Sequence, residues 1–188
     1  GPYVNNVSHK EVVISFETNK PCLPNIVVNG NIYMDLKNLS KKGLKHEIPI
    51  GDLEPDKEYN YTVNYGKNQL TYSFKTAPTP GTRKPFTFAF TSDSRAGSGG
   101  GERNIYGVNV YIMKKMAALA AQQGASFFQF TGDMITGYSS SIGSNMLEYA
   151  NWKRSVESIW HYLPIYVAMG NHEALVNIFD DGSAWGIS

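Results

Sequence analysis

Two rhythms of apolar residues run along the chain, and they change over near residue 80. Before that point the rhythm is short. Glu11–Phe16 alternates partly between apolar and polar positions, and Asn25–Val28, Asn31–Leu36 and His46–Ile50 are further brief runs. Glu58–Tyr65 alternates cleanly, with Tyr59, Tyr61, Val63 and Tyr65 on one face, and Thr71–Lys75 follows. A period of two places alternate side chains on opposite faces of a strand. Asn29-Gly30 and Gly51-Asp52 supply turn residues between the runs. About seven short strands at this spacing predict a β-sandwich. Tyr59, coming just after Leu53 and Pro55, fits a tyrosine corner.

The stretch from Ala77 to Pro85 carries Pro78, Pro80 and Pro85. Proline removes a backbone donor and stiffens the chain, so this stretch predicts a linker. Beyond it the rhythm lengthens. Phe86–Thr91 predicts a strand. Val108–Gln122 predicts a helix, with Val108, Ile112, Met116 and Leu119 at helical spacing and Gly124 placed as its C-terminal stop. Ser126–Thr131 predicts a second strand. A second helix is predicted to start at Asn145, with Glu148 three residues on. Tyr149, Trp152, Val156, Ile159 and Trp160 form its buried stripe. Ile165–Met169 predicts a third strand. Strand, helix, strand, helix, strand implies two right-handed crossovers and a parallel sheet. The expected fold is therefore an all-β sandwich over 1–78, a linker over 79–85 and an α/β domain over 86–188.

Composition narrows the function classes. Hydrophobic residues make up 41% of the 188, and charged residues 18%, enough apolar material for a real core. The net charge is +1 and no basic run appears, so no nucleic-acid affinity is expected. No stretch of about 18 uncharged apolar residues is present, so no membrane span is expected. Cys22 is the single cysteine, which excludes an internal disulfide and a Cys-rich zinc site. The opening residues Gly1-Pro2-Tyr3-Val4 are not a signal peptide.

Candidate chemistry sits directly after the strands of the second part. Asp93-Ser94-Arg95 follows the first, Gly132-Asp133 the second and Gly170-Asn171-His172-Glu173 the third. Ligands of open α/β sheets bind beyond the carboxyl ends of the strands. Asp93, Asp133 and Asn171 are 40 and 38 residues apart, one crossover unit each, so they can converge on one crevice. Two carboxylates and an amide oxygen suit a hard divalent cation. Taken singly, an Asp after a strand is more often a turn or cap residue. The three segments in order are what carry the reading.

These segments resemble the calcineurin-like metallophosphoesterase superfamily. The preceding β module resembles the fibronectin type III-like domain of purple acid phosphatases. The resemblance implies two metal ions, Mn, Fe, Zn or similar, with Asp93 on the first, Asp133 bridging and Asn171 on the second. It further implies that His172 assists at the phosphate and that Glu173 orients His172. The implied activity is hydrolysis of phosphate mono- or diesters by metal-activated hydroxide, and the implied partner is a phosphoester substrate. It also implies an extracytoplasmic or secreted location.

The chain departs from that pattern in two places. Arg95 stands where the family has a metal-binding His, and arginine cannot ligate a metal. Arg95 is expected to contact substrate phosphate or to pair with a nearby carboxylate. Purple acid phosphatases place a Tyr three residues after the G-D aspartate. Here that position is Thr136, with Tyr138 two residues later, so an Fe–tyrosinate site is not expected. Of the four histidines, His9, His46 and His161 match no later ligand segment. The α/β part therefore reads as an incomplete βαβαβ half of a metallophosphoesterase domain. The alternative is a degenerate phosphoesterase that serves as a binding or adhesion module. The glycine cluster Gly97–Gly101 has neither G-x-G-x-x-G nor G-K-[S/T] spacing and reads as a loop. The sequons at Asn6, Asn38 and Asn60 occur about as often as chance gives.

Overall fold

The alternating residues of the first part pair into two antiparallel sheets in a computed structural model, which describes residues 1–35, 37, 42–96, 104–138 and 141–174. One sheet has the order β1-β2-β5, with β1 Tyr3–Asn5, β2 Val12–Cys22 and β5 Gly43–Ile50. The other has the order β4-β3-β6-β7, with β3 Asn25–Val28, β4 Asn31–Met34, β6 Glu58–Tyr65 and β7 Asn68–Lys75. The register is set by burial, because a slip of one residue would turn every apolar side chain outward. Val12 faces Ile50 and Ile14 faces Ile48 in one sheet; Ile26 faces Val63, and Tyr59 faces Phe74, in the other. These side chains, with Val4, Phe16, Val28 and Tyr61, form one buried cluster. Each fully buried aliphatic side chain contributes about 1.5–3 kcal/mol. The Tyr59 hydroxyl accepts a hydrogen bond from the Glu54 amide at 2.7 Å, the tie that the Leu53–Tyr59 pattern predicts.

The chain divides into two compact units. The first comprises Gly1–Phe86 with Trp160–Ile165, and the second Thr87–Ile159 with Tyr166–Ser188. In the second unit a three-stranded sheet has the order β10-β9-β8, with β8 Ala89–Thr91, β9 Phe128–Phe130 and β10 Ile165–Val167. β8 and β9 are parallel, as the crossover pattern requires. Between them runs α1, Val110–Gln122, and between β9 and β10 runs α2, Ile142–Trp160. A single helical turn, α3, covers Asn171–Ala174. Trp152 of α2 is fully buried and meets Phe130 of β9 edge-on, with ring centroids 5.2 Å apart.

Several elements differ from the sequence expectation. The first strand of the second unit starts at Ala89, and Phe86, Phe88 and Phe90 are exposed. α1 buries Val110, Met113, Ala117 and Ala120, whereas Ile112 and Leu119 face outward. The larger aliphatic residues pointed to the wrong stripe, since alanines permit a close helix approach that a hydrophobicity count undervalues. α2 starts at Ile142, not Asn145; Ser141 Oγ accepts from the Ser144 amide at 3.2 Å and caps the helix. Asn145 and Glu148 are instead buried on α2. β1 lacks a readable period because it has only three residues. The Gly97–Gly101 cluster and the Asn38 sequon lie outside the described residues.

Candidate active site

Three short segments carry the site, and parallel hydrogen bonding aligns them. The Thr131 amide donates to Thr91 O at 3.0 Å, the Asp93 amide to Gly132 O at 3.1 Å and the Ala168 amide to Phe130 O at 2.8 Å. Thus the residues after β8, β9 and β10 leave the sheet side by side. Ser94 fastens the first segment to its surroundings. It is buried, donates to Met134 O and accepts from Trp152 Nε1, both at 2.9 Å.

Asp93 and Asp133 both have φ of 57°, a left-handed conformation uncommon for residues with a Cβ. Such positions persist where surrounding structure holds them, and they cluster at functional sites. Close backbone approach supplies that constraint here. Gly132 has φ of 110°, and a Cβ there would lie 2.5 Å from the Gly170 amide nitrogen. A Cβ at Gly170 would run into Asp133, and one at Gly137 into His172 O. Glycine is required at all three because the segments after β9 and β10 pack backbone to backbone.

Glu173 ties the same two segments together. Its carboxylate is buried and accepts from the amides of Gly170 and Asp133 at 2.8 Å each, Met134 at 2.6 Å and Ile135 at 3.3 Å. The expected contact from Glu173 to the His172 ring is not what orients that ring. Instead His172 Nδ1 faces the carbonyl oxygen of Thr136 at hydrogen-bond distance. The Tyr138 ring packs edge-on against the His172 ring with centroids 4.2 Å apart.

The partners assign the His172 tautomer. A carbonyl only accepts, so Nδ1 carries the hydrogen. Nε2 faces Arg95 Nη1 at 2.5 Å, and a guanidinium only donates, so Nε2 accepts. The His172 ring thus presents Nδ1–H to Thr136 O and the Nε2 lone pair to Arg95. The Arg95 Nε lies 3.9 Å from Asp93 Oδ1 and 4.0 Å from Asp133 Oδ2, and His172 Nε2 lies 4.0 Å from Asp133 Oδ2. Asp133 Oδ1 also accepts from the His172 amide at 3.2 Å. The structure thus brings Asp93, Arg95, Asp133 and His172 together. Asn171 lies beside them and donates from Nδ2 to the Tyr138 hydroxyl.

Thr136 and Tyr138, which the sequence reading weighed only as a place for a metal-binding tyrosine, are instead the neighbours of the His172 ring. Thr136 acts through its backbone carbonyl, which no side-chain motif reveals. Tyr138 comes in reach because Gly137 and Tyr138 both have positive φ, 58° and 51°, which turns the chain back toward His172.

Metal ions are a poor fit to the described residues alone. Asp93, Asp133 and Asn171 offer three hard donors, fewer than the four to six that Zn²⁺ or Mg²⁺ takes. Among the described residues no group of three or more His, Cys, Asp and Glu side chains could hold an ion. A fixed cation, Arg95, already stands within 4.0 Å of both carboxylates. Among the described residues no helix is long and apolar enough to cross a membrane.

No family model matches the chain, and no curated protein matches it. Solved structures do. The structure of purple acid phosphatase PPD1 from yellow lupin (Lupinus luteus) seeds matches with a TM-score of 0.67 at 16% identity, over 92% of this chain and 35% of that one. The structure of PhoD matches with a TM-score of 0.64 at 19% identity, over 99% of this chain and 41% of that one. The chain therefore shares the fold of the matching parts of these two structures and spans well under half of their length. At these identities the likeness concerns the fold alone.

Proposed function

We propose that this chain is the strand-end half of a phosphate-ester hydrolase, binding a mono- or diester beside Asp93, Arg95, Asp133 and His172. The convergence of those four side chains at the carboxyl ends of β8, β9 and β10, in a fold shared with a purple acid phosphatase, carries this reading. We place the module over 86–188, preceded by a linker over 79–85 and a fibronectin type III-like sandwich over 1–78.

Each group has a task in this reading. Arg95 donates its planar fork to two phosphoryl oxygens. In doing so it leaves the His172 Nε2 lone pair, which can then take up a proton from solvent and pass it to the leaving oxygen. Thr136 O keeps Nδ1 protonated and the ring in place. Glu173 holds the two loops in register, so it positions the site without touching substrate. Asp93, Asp133 and Asn171 are the donors this chain would offer to metal ions, and further ligands from outside the described residues would be needed. Metal ions held there with those further ligands would supply charge neutralisation and an activated water.

A second reading is favoured by one observation, the guanidinium between the two carboxylates. In it, the site binds phosphate esters without turning them over, as a degenerate phosphoesterase. One experiment separates the two. The chain is titrated with phenyl phosphate by NMR, and nitrophenyl phosphate turnover is measured with Mn²⁺ and with chelator. Binding with chelator-sensitive turnover supports the hydrolase. Binding without turnover supports the second reading. Absence of shifts at Asp93, Arg95, Gly170 and His172 would sink both.

A further inference from the structure

The first unit holds a separate cluster of chemically competent side chains at the bulged end of β2. β2 pairs with β5 in regular register from Val12 to Glu17, where Phe16 faces His46. The register then shifts, and the next partners are Cys22 and Gly43. The shift brings both Thr18 and Cys22 to one histidine. Cys22 Sγ lies 3.8 Å from His46 Nε2, and Thr18 Oγ1 lies 3.2 Å from the same nitrogen. On the other side of the ring, His46 Nδ1 lies 3.3 Å from Asp35 Oδ2. His46 and Asp35 are almost wholly buried, at 1% and 2% exposure, whereas Cys22 is half-buried. The Phe16 ring covers His46, with centroids 5.0 Å apart.

The hydrogen-bond roles give this cluster a direction. The Asp35 carboxylate only accepts, so His46 Nδ1 donates to it. Asp35 Oδ1 accepts in turn from the Lys37 amide at 3.1 Å, which fixes the carboxylate. Thr18 spends its hydroxyl hydrogen on Lys20 O at 2.9 Å. Its oxygen therefore presents a lone pair to His46 Nε2. The Cys22 thiol, 3.8 Å from both Thr18 Oγ1 and His46 Nε2, is the proton donor within reach of that nitrogen, and once the proton has moved the Thr18 oxygen accepts from it. The buried carboxylate stabilises the imidazolium that results, as the third member of a nucleophile–base–carboxylate set does.

We propose that Cys22 is a reactive thiol, with His46 as its base and Asp35 as the group that orients and stabilises His46, and that it exchanges with small-molecule disulfides. In the step, the Cys22 thiolate attacks one sulfur of the disulfide. A Cys22 S–S bond forms as the original S–S bond breaks, and the departing thiolate takes the proton held on His46 Nε2. The Cys22 sulfur rises by one in oxidation number as it enters the mixed disulfide, and the departing sulfur falls by one as it leaves as a thiol, so no outside oxidant is needed. Cys22 is the single cysteine, so no resolving thiol within the chain reverses the modification. The mixed disulfide accordingly persists until an external thiol removes it.

The test is the rate at which 2-hydroxyethyl disulfide modifies the native chain at pH 7, followed by mass. The same chain unfolded in urea gives the reference for an unassisted thiol. An ordinary cysteine is only a few per cent thiolate at pH 7, so activation should make the native chain about 10-fold faster. His46→Gln should bring the folded chain down to or below the unfolded rate, and Asp35→Asn should fall between. Should either variant fail to fold, the native-to-unfolded ratio and the thiolate's ultraviolet absorbance in the native chain still decide the matter. A native chain that reacts more slowly than the unfolded one, as a half-buried inert thiol does, overturns the proposal. A folded His46→Gln variant as fast as the native chain overturns it equally.

Discussion

Glu173 has almost no contact with water, yet four backbone amides point at its carboxylate. Glutamine in its place keeps one oxygen and turns an NH₂ group toward those donors. Hydrogen bonds to a charged acceptor contribute about 1.5–3 kcal/mol, so Glu173→Gln should lose about that much in urea unfolding. Hydrogen exchange should show the Met134 amide exposed first; an unchanged Met134 protection would contradict the positioning role. In the first unit, Tyr59→Phe leaves the Glu54 amide without its partner and should cost about 1–3 kcal/mol. Asp56 offers a pH test. Hydrogen bonds from Lys75 and Lys84, at 2.8 and 2.5 Å, hold its carboxyl down to about 2. A depressed folded value means that the contribution is present above the ordinary carboxyl range near 3.8 and is lost as pH falls toward 2. A carboxyl carbon titration by NMR should show Asp56 among the last to protonate, moving upward with added salt.

The elements show where sequence patterns reach their limit. β3 and β6 were legible to the residue because each alternates over one buried face. The strands of the second unit were legible as places where chemistry follows, although only three residues of each pair. The α1 face was not, because its contact surface is built from Ala117 and Ala120. Its inner face can be tested directly. Ala117→Leu overfills a site with no exposure and should cost about 1–3 kcal/mol. Leu119→Ala, on the exposed side, should stay within about 0.5 kcal/mol. Thermal unfolding of the two variants checks the assignment, and the reverse order would restore the Ile112–Leu119 face. The candidate site was legible in its side chains Asp93, Arg95, Asp133, Asn171, His172 and Glu173. The partners that set their roles were not. Thr136 works through a carbonyl, Tyr138 depends on two left-handed residues, and the Glu173 contacts are all to backbone; none of these leaves a mark on residue type.

At the scale of the whole chain, there are two compact units. The stretch from Pro78 to Phe88 is exposed throughout, so limited proteolysis should cut there before it cuts β6 or β9. The proposal that the second unit binds a phosphate ester rests on three strand ends that bring together one guanidinium and one imidazole. It is tested most directly by calorimetric titration of phenyl phosphate into the native chain and into Arg95→Ala and Arg95→Lys. A charge-assisted pair of hydrogen bonds contributes about 1.5–3 kcal/mol, so Arg95→Ala should weaken binding by about 10- to 100-fold. Arg95→Lys should lie between, since lysine keeps the charge and loses the fork. Equal affinity in all three proteins would contradict the account.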